Sequence, residues 1–273
     1  MRRFSQVDVF SSEPLLGNPV AVVHDADGVT DEEMARFARW TNLSETTFLL
    51  APTVPGADYR LRIWTPGGEL PFAGHPTLGS AHAWLEAGGA PAAAGEVVQE
   101  CGVGLVRIRR TERLSFMAPP LLRSGPVAED DLVRIATALR VDRGELLDSA
   151  WIDNGPGWVG VLLRDADAVL GLSPDYAAFG DLQIGVVGPY PDGPIAVEVR
   201  AFCPGFGMTE DPVTGSLNAG VAQWLAGDRL PATYVSGQGT ALDRRGRVHV
   251  SVEGEDVWVG GDALTTVRGE VSL

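Results

Sequence analysis

Short apolar or alternating runs bounded by Gly, Pro or Asp dominate the chain and predict strands. In the first half these are "QVDVF", "PVAVVHD", "ETTFLL", "YRLRIWT" and "GLVRIRR". In the second half they are "SAWIDN", "WVGVLL", "QIGVVGPY", "IAVEVRAF", "RVHVSVEG" and "VWVGG". Helical patterns are fewer. "TDEEMARFARWTNL" starts at Thr30, a preferred cap, and carries acids in its first turn. "EDDLVRIATALR" predicts its counterpart in the second half. "HPTLGSAHAWLEAGG" (75–89) predicts a helix with Pro76 at its first position and Gly88 and Gly89 at its end. "DPVTGSLNAGVAQWLAGD" (211–228) repeats that design, with Pro212 first. Both are apolar on most sides, which predicts burial. A buried helix in a mainly β half predicts a sheet wrapped around it.

The chain also repeats itself. "YRLRIWTPG" (59–67) resembles "VEVRAFCPG" (197–205), "HPTLGS" (75–80) resembles "DPVTGS" (211–216), and "HDADGV" (24–29) resembles "RDADAV" (164–169). A weaker echo joins "GNPVAVV" (17–23) to "GPGWVGVLL" (155–163). The matches keep one order with offsets of 136–140, which predicts two similar halves. The Pro- and Gly-punctuated segment "MAPPLLRSGPVAEDD" (117–131) joins them.

Composition narrows the function classes. A formal charge of −15 on 273 residues disfavours a nucleic-acid binder and an anionic membrane surface. The N-terminal "MRRFSQVDVFSSEP" lacks the apolar run of a secretory signal, and no stretch is long and apolar enough for a membrane span. Two distant cysteines, Cys101 and Cys203, fit a reduced cytoplasmic protein, and the four histidines form no zinc motif.

Candidate chemistry gathers at the two apolar helices. A helix start offers unpaired N–H groups and a positive dipole end, suited to an anion. The residues before the two prolines are His75 and Asp211. Capping alone accounts for Asp211, whereas His is a poor cap and points to chemistry. Gly74 and Gly215 allow a ligand close to the backbone. Ser80 and Ser216 sit in the first turns, where local hydrogen bonding is their ordinary fate. Two such starts facing one another would make a site for a small carboxylate. Glu45 in "NLSETTFLL" is either a solvent-facing residue at a strand start or an acid/base. At an offset of 138 it falls on Gln183, so only one half carries the acid. A lone acid suits a group that takes a proton from one atom and returns it to another.

The segments "DVFSSEPLLGNPVAVV", "NLSETTFLL", "RIWTPGGELPFAGHPTLGSAH" and "EDPVTGSLNAG" resemble the phenazine-biosynthesis isomerase family (PhzF-like), along nearly the whole chain. The resemblance implies the diaminopimelate epimerase-like fold. This is an α+β fold of two similar pseudo-symmetric domains, each a β-barrel-like sheet around a central helix, with the active site between them. On this chain it implies one domain over 1–118 with the strand 263–273 returning to it, and a second over 125–262. It implies a homodimer, no metal and no organic cofactor. Glu45 matches the family's catalytic acid/base, His75 the histidine of G-H-P-T, and Asp211 the aspartate of D-P-x-T-G-S. Gly74, Ser216, Gly215 and Ser44 match substrate-contacting places.

The implied substrate is trans-2,3-dihydro-3-hydroxyanthranilate. A partly desolvated Glu45 would move its proton, while His75 and Asp211 hold polar groups. Epimerases of this fold use two cysteines at the helix starts. Here His75 and Asp211 stand there, which disfavours two-thiol chemistry.

Two other readings keep the same residues. One is epimerisation, dehydration or cyclisation of another amino-acid-like metabolite, since fold does not fix function. The other is a binding protein without turnover. Specificity would fall to aromatics such as Trp64, Phe72 or Phe206, which serve equally well in a core.

Overall fold

The computed structural model describes residues 1–206 and 208–273, with the backbone alone at Phe206. It divides into two units, Met1–Met117 with Gly260–Leu273, and Ala118–Val259. No helix among the described residues is long and apolar enough to cross a membrane.

The first unit runs β1 (Arg2–Val9), β2 (Asn18–Val23), α1 (Asp31–Thr41), β3 (Thr46–Leu50), β4 (Tyr59–Thr65), β5 (Gly68–Leu70), α2 (Gly74–Glu86), β6 (Glu96–Cys101), β7 (Gly104–Arg110) and β8 (Leu114–Met117). β1 pairs antiparallel with β2, β2 parallel with β3, β3 antiparallel with β4, and β4 parallel with β6. β6, β7 and β8 then form an antiparallel meander.

The second unit runs β9 (Arg123–Gly125), α3 (Glu129–Leu139), β10 (Asp148–Asp153), β11 (Trp158–Leu162), α4 (Ala166–Leu170), β12 (Gln183–Pro189), β13 (Val197–Phe202), β14 (Glu210–Asp211), α5 (Gly215–Leu225), β15 (Thr233–Gln238), β16 (Gly246–Glu253) and β17 (Asp256–Gly261). Its pairings repeat the first unit's: β10 with β11 antiparallel, β11 with β12 parallel, β12 with β13 antiparallel, β13 with β15 parallel. The last strand, β18 (Ala263–Val271), lies antiparallel on β1.

α2 touches β1, β2, β3, β4, β6, β8 and β18, so the sheet wraps around it. That burial follows from its sequence: every residue from Gly74 to Ala81 is buried. Close approach needs small residues. A Cβ on Gly79 would meet Val20 Cγ1 at 2.4 Å, and one on Gly220 of α5 would meet the Ile152 carbonyl at 2.6 Å.

A second apolar layer covers the outer face of each sheet. In the first unit α1 lays Met34, Phe37 and Ala38 on Val23, Phe48 and Trp64. Its start is set by Thr30, whose side chain accepts from the Glu33 N–H in a capping box. In the second unit α3 packs Leu132, Ile135 and Leu139 on Val159, Val161 and Ile184. So α3 covers the matching face, but it enters ahead of β10. The chain position of α1, between two parallel strands, belongs to the short α4 instead.

Two expected helix starts are corrected. Ala73 is the N-cap of α2, which puts His75 second and Pro76 third, still inside the first turn where Pro costs no hydrogen bond. Thr214 is the N-cap of α5, and Asp211 lies before it on β14. Neither His75 nor Asp211 is therefore a cap.

Candidate active site

The strand registers match the residues of one unit to those of the other. Thr46 pairs with Trp64, and Ile184 pairs with Phe202. Trp64 to Phe202 is an offset of 138, so Glu45, just before Thr46, corresponds to Gln183, as the sequence repeat predicts. Beyond these strands the offset changes. Ile63 faces Leu70 on β5, and its equivalent Ala201 faces Asp211 on β14. Asp211 thus corresponds to Leu70. The first residues of the buried helices, Gly74 and Gly215, are 141 apart, which matches His75 with Ser216. The likeness of "HPTLGS" to "DPVTGS" is one of sequence and not of position, because the β13–β14 connection is longer than the β4–β5 one.

In the first unit Glu45 meets His75: Glu45 Oε2 lies 3.2 Å from His75 Nδ1. The alternation of β3 explains the meeting. Thr47 points at α2, where its hydroxyl accepts from Ser80 Oγ at 2.9 Å and donates to the Ala21 carbonyl. Glu45, two residues earlier, shares that face. Its side chain is 16% exposed and that of His75 only 4%, so the carboxylate is the less buried of the two. Burial pushes His75 down to about 3, against the opposing pull of the Pro19 carbonyl. The ring is therefore neutral at working pH with its hydrogen bond directed to the Pro19 carbonyl, so Glu45 faces a neutral imidazole and not a fixed cation.

Gly74 and Ser44 flank the pair. A Cβ on Gly74 would meet Phe116 Cζ at 2.3 Å, and Phe116 packs edge-on against Phe72 at 5.7 Å. Phe72 therefore lies near the start of α2. Trp64 belongs to the layer under α1, beneath the Arg62 guanidinium. The Phe206 side chain lies outside the described residues. Gly74→Ala should lower Tm, although Ala is ordinarily the better helix former by about 1 kcal/mol, because the fully buried Phe116 ring cannot retreat. An unchanged or raised Tm would count against this packing.

In the second unit Asp211, Gly215 and Ser216 gather at the start of α5. Thr214 Oγ1 donates to Asp211 Oδ2 at 2.6 Å. Ser216 Oγ accepts from Trp158 Nε1 at 3.0 Å, and the Ser216 carbonyl accepts from Asn154 Nδ2 at 2.8 Å. Trp158 is the register partner of Gln183, which is buried. Sequence reasoning passed over Thr214, although it stands inside the D-P-x-T-G-S segment. Gln238, which also bonds to this loop, carried no local signal.

Cys101 ends β6 and Cys203 follows β13, so neither stands at the start of α2 or α5, and neither forms a disulfide. Among the described residues, no group of three His, Cys, Asp or Glu could hold a metal ion.

Burial also sets a pH dependence. His75 is pushed down to about 3, and His24, buried beside Ser5 and near Arg3, to about 4. Unfolded, both would bind protons near 6.5. Unfolding therefore takes up protons as the pH falls below that value. Their stabilisation is full above pH 6.5 and is lost on acidification, at about 1.4 kcal/mol per unit for each histidine. Calorimetry should show Tm falling from pH 7 to 5 with roughly two protons taken up on unfolding near pH 5. A flat Tm over that range would contradict it.

A family model described as "Phenazine biosynthesis-like protein" (PhzC-PhzF) matches residues 7–269. The trans-2,3-dihydro-3-hydroxyanthranilate isomerase of Pseudomonas aeruginosa is 35% identical, with 100% of each chain covered. The Schizosaccharomyces pombe protein named "Antisense-enhancing sequence 1" is 36% identical, over 98% of this chain and 97% of its own. Among solved structures, a PhzF-family protein from Enterococcus faecalis matches with a TM-score of 0.84 at 24% identity, covering 100% and 99% of the two chains. A probable proline racemase from Agrobacterium radiobacter matches with a TM-score of 0.59 at 16% identity, covering 100% and 93%. The fold is thus of the diaminopimelate epimerase kind, with each unit's sheet-and-helix topology as expected.

Proposed function

Because the chain belongs to the PhzC-PhzF family of phenazine biosynthesis-like proteins, and is an isomerase of that type, we propose that it moves a proton within a small cyclic carboxylate, trans-2,3-dihydro-3-hydroxyanthranilate or a close analogue. The observation that carries the proposal is the Glu45–His75 pair, with a partly exposed carboxylate 3.2 Å from a buried neutral imidazole. A carboxylate held this way can accept a proton and give it back.

In the proposed reaction Glu45 removes the proton from the carbon bearing the hydroxyl. The electrons shift through the ring, and Glu45 returns the proton to a different ring carbon. The resulting enol becomes a ketone, so no atom is gained or lost. His75, beside Glu45, steadies the charge that passes through the ring. Asp211, Gly215 and Ser216 contribute substrate contacts. The reading of Asp211 as a contact follows from its place in the family motif.

The test is conversion in D₂O. The protein is incubated with the dihydro-hydroxyanthranilate and followed by NMR and mass spectrometry. Conversion with deuterium at the reprotonated carbon is expected. Failure to convert this compound would remove it as substrate, and the same exchange assay on other cyclic amino-carboxylates would then identify the one that is used.

A further inference from the structure

Asp211 is held in one hydrogen-bonding polarity by residues that need not touch the substrate. Gln238, fully buried at the end of β15, meets four groups. The Thr214 N–H and the Asn218 side-chain amide both donate to its Oε1 at 2.9 Å. Its Nε2 donates to the Asp211 carbonyl at 3.1 Å and to Thr214 Oγ1 at 2.9 Å. An atom that faces two N–H groups must be the oxygen, and one that faces a carbonyl must be the nitrogen. The amide therefore has one orientation. Asn218 is fixed in the same way: its Nδ2 donates to the Thr214 carbonyl and its Oδ1 accepts from Ser236 Oγ.

This settles the Thr214 hydroxyl. It accepts from Gln238, so its single proton is left for Asp211 Oδ2, 2.6 Å away. A short O–H···O bond of this kind favours an ionised acceptor. Glu210, next to Asp211, is spent on a bidentate pair with Arg200, and the Arg244 stem packs at Gly239, which follows Gln238.

We infer that Thr214 and Gln238 are positioning residues that fix Asp211 as a hydrogen-bond acceptor, so that Asp211 reads an amino or hydroxyl donor on the ligand and does not carry the migrating proton. The inference rests on the proposal that Asp211 contacts substrate.

Neutron diffraction on deuterium-exchanged crystals of the wild-type protein tests the polarity directly. Deuterium on Thr214 Oγ1, directed at Asp211, with both Asp211 oxygens bare, is the expected result. Deuterium on Asp211 overturns the inference. Kinetics test the consequence. Thr214→Val should raise KM about tenfold with little change in kcat, and Thr214→Ser should restore KM. A fall in kcat at constant KM would also overturn it, since that marks a proton carrier. If the dihydro-hydroxyanthranilate is not turned over, the substrate proposal fails, while the neutron result still decides the polarity.

Discussion

Glu45→Gln is expected to lower kcat by about three orders of magnitude with KM within a factor of a few. The size follows from what positioned acid/base groups contribute, roughly 10²–10⁴ in rate. Glutamine keeps the shape and fits the same place beside His75, so binding should survive while proton movement does not. Glu45→Asp separates position from chemistry. It keeps a carboxylate but withdraws it by about one methylene, and misplacement on that scale costs about 10². The order wild type, then Asp, then Gln in kcat, measured with the deuterium assay, would identify Glu45 as the carrier. A Gln variant within tenfold of wild type would assign the proton to another group.

Arg200→Met is expected to lower stability by about 3–5 kcal/mol, which for a unit of this size is a Tm drop of about 10 °C. The side chains of Arg200 and Glu210 are 6% and 3% exposed, joined by bonds of 2.8 and 2.7 Å. Arg200 also donates to the Val169 and Leu172 carbonyls. Removing the guanidinium leaves a buried carboxylate and the Leu172 carbonyl without their donor, while the Val169 carbonyl keeps the Leu172 N–H, and this is costlier than the pair is worth. The double variant Arg200→Met with Glu210→Leu should therefore recover much of the loss. Thermal melts of the two single variants and the double decide it. Equal losses in Arg200→Met and the double variant, with Glu210→Leu close to wild type, would show that the carbonyls, not the ion pair, set the cost.

Much of this fold was legible because its strands announce themselves. "YRLRIWT" is β4 and "GLVRIRR" is β7, end to end, since alternation and flanking turn residues bound them on both sides. The correspondence of Glu45 with Gln183 was legible for a similar reason: strand register leaves no room for a slip. The helix starts were not. A proline before an apolar run reads as a first helical residue, yet the backbone begins α2 two residues sooner and α5 three residues later than Pro212. Asp211 was picked out by its resemblance, and the work of Thr214 on it was not, because the partner Gln238 lies 24 residues away in sequence. Such pairings exist only once β15 lies beside β13.

The order in which the chain is made bears on the pairing of β18 with β1. On a ribosome, all of Ala118–Val259 emerges before β18 does. The second unit can complete its sheet while the first still waits for a strand. At roughly 5–20 residues per second, β1 would stand for some tens of seconds with one side unpaired. That is an open edge of the kind that recruits other chains. Premature termination between Val259 and Ala263 would make the state permanent, leaving a finished second unit joined to an aggregation-prone first one.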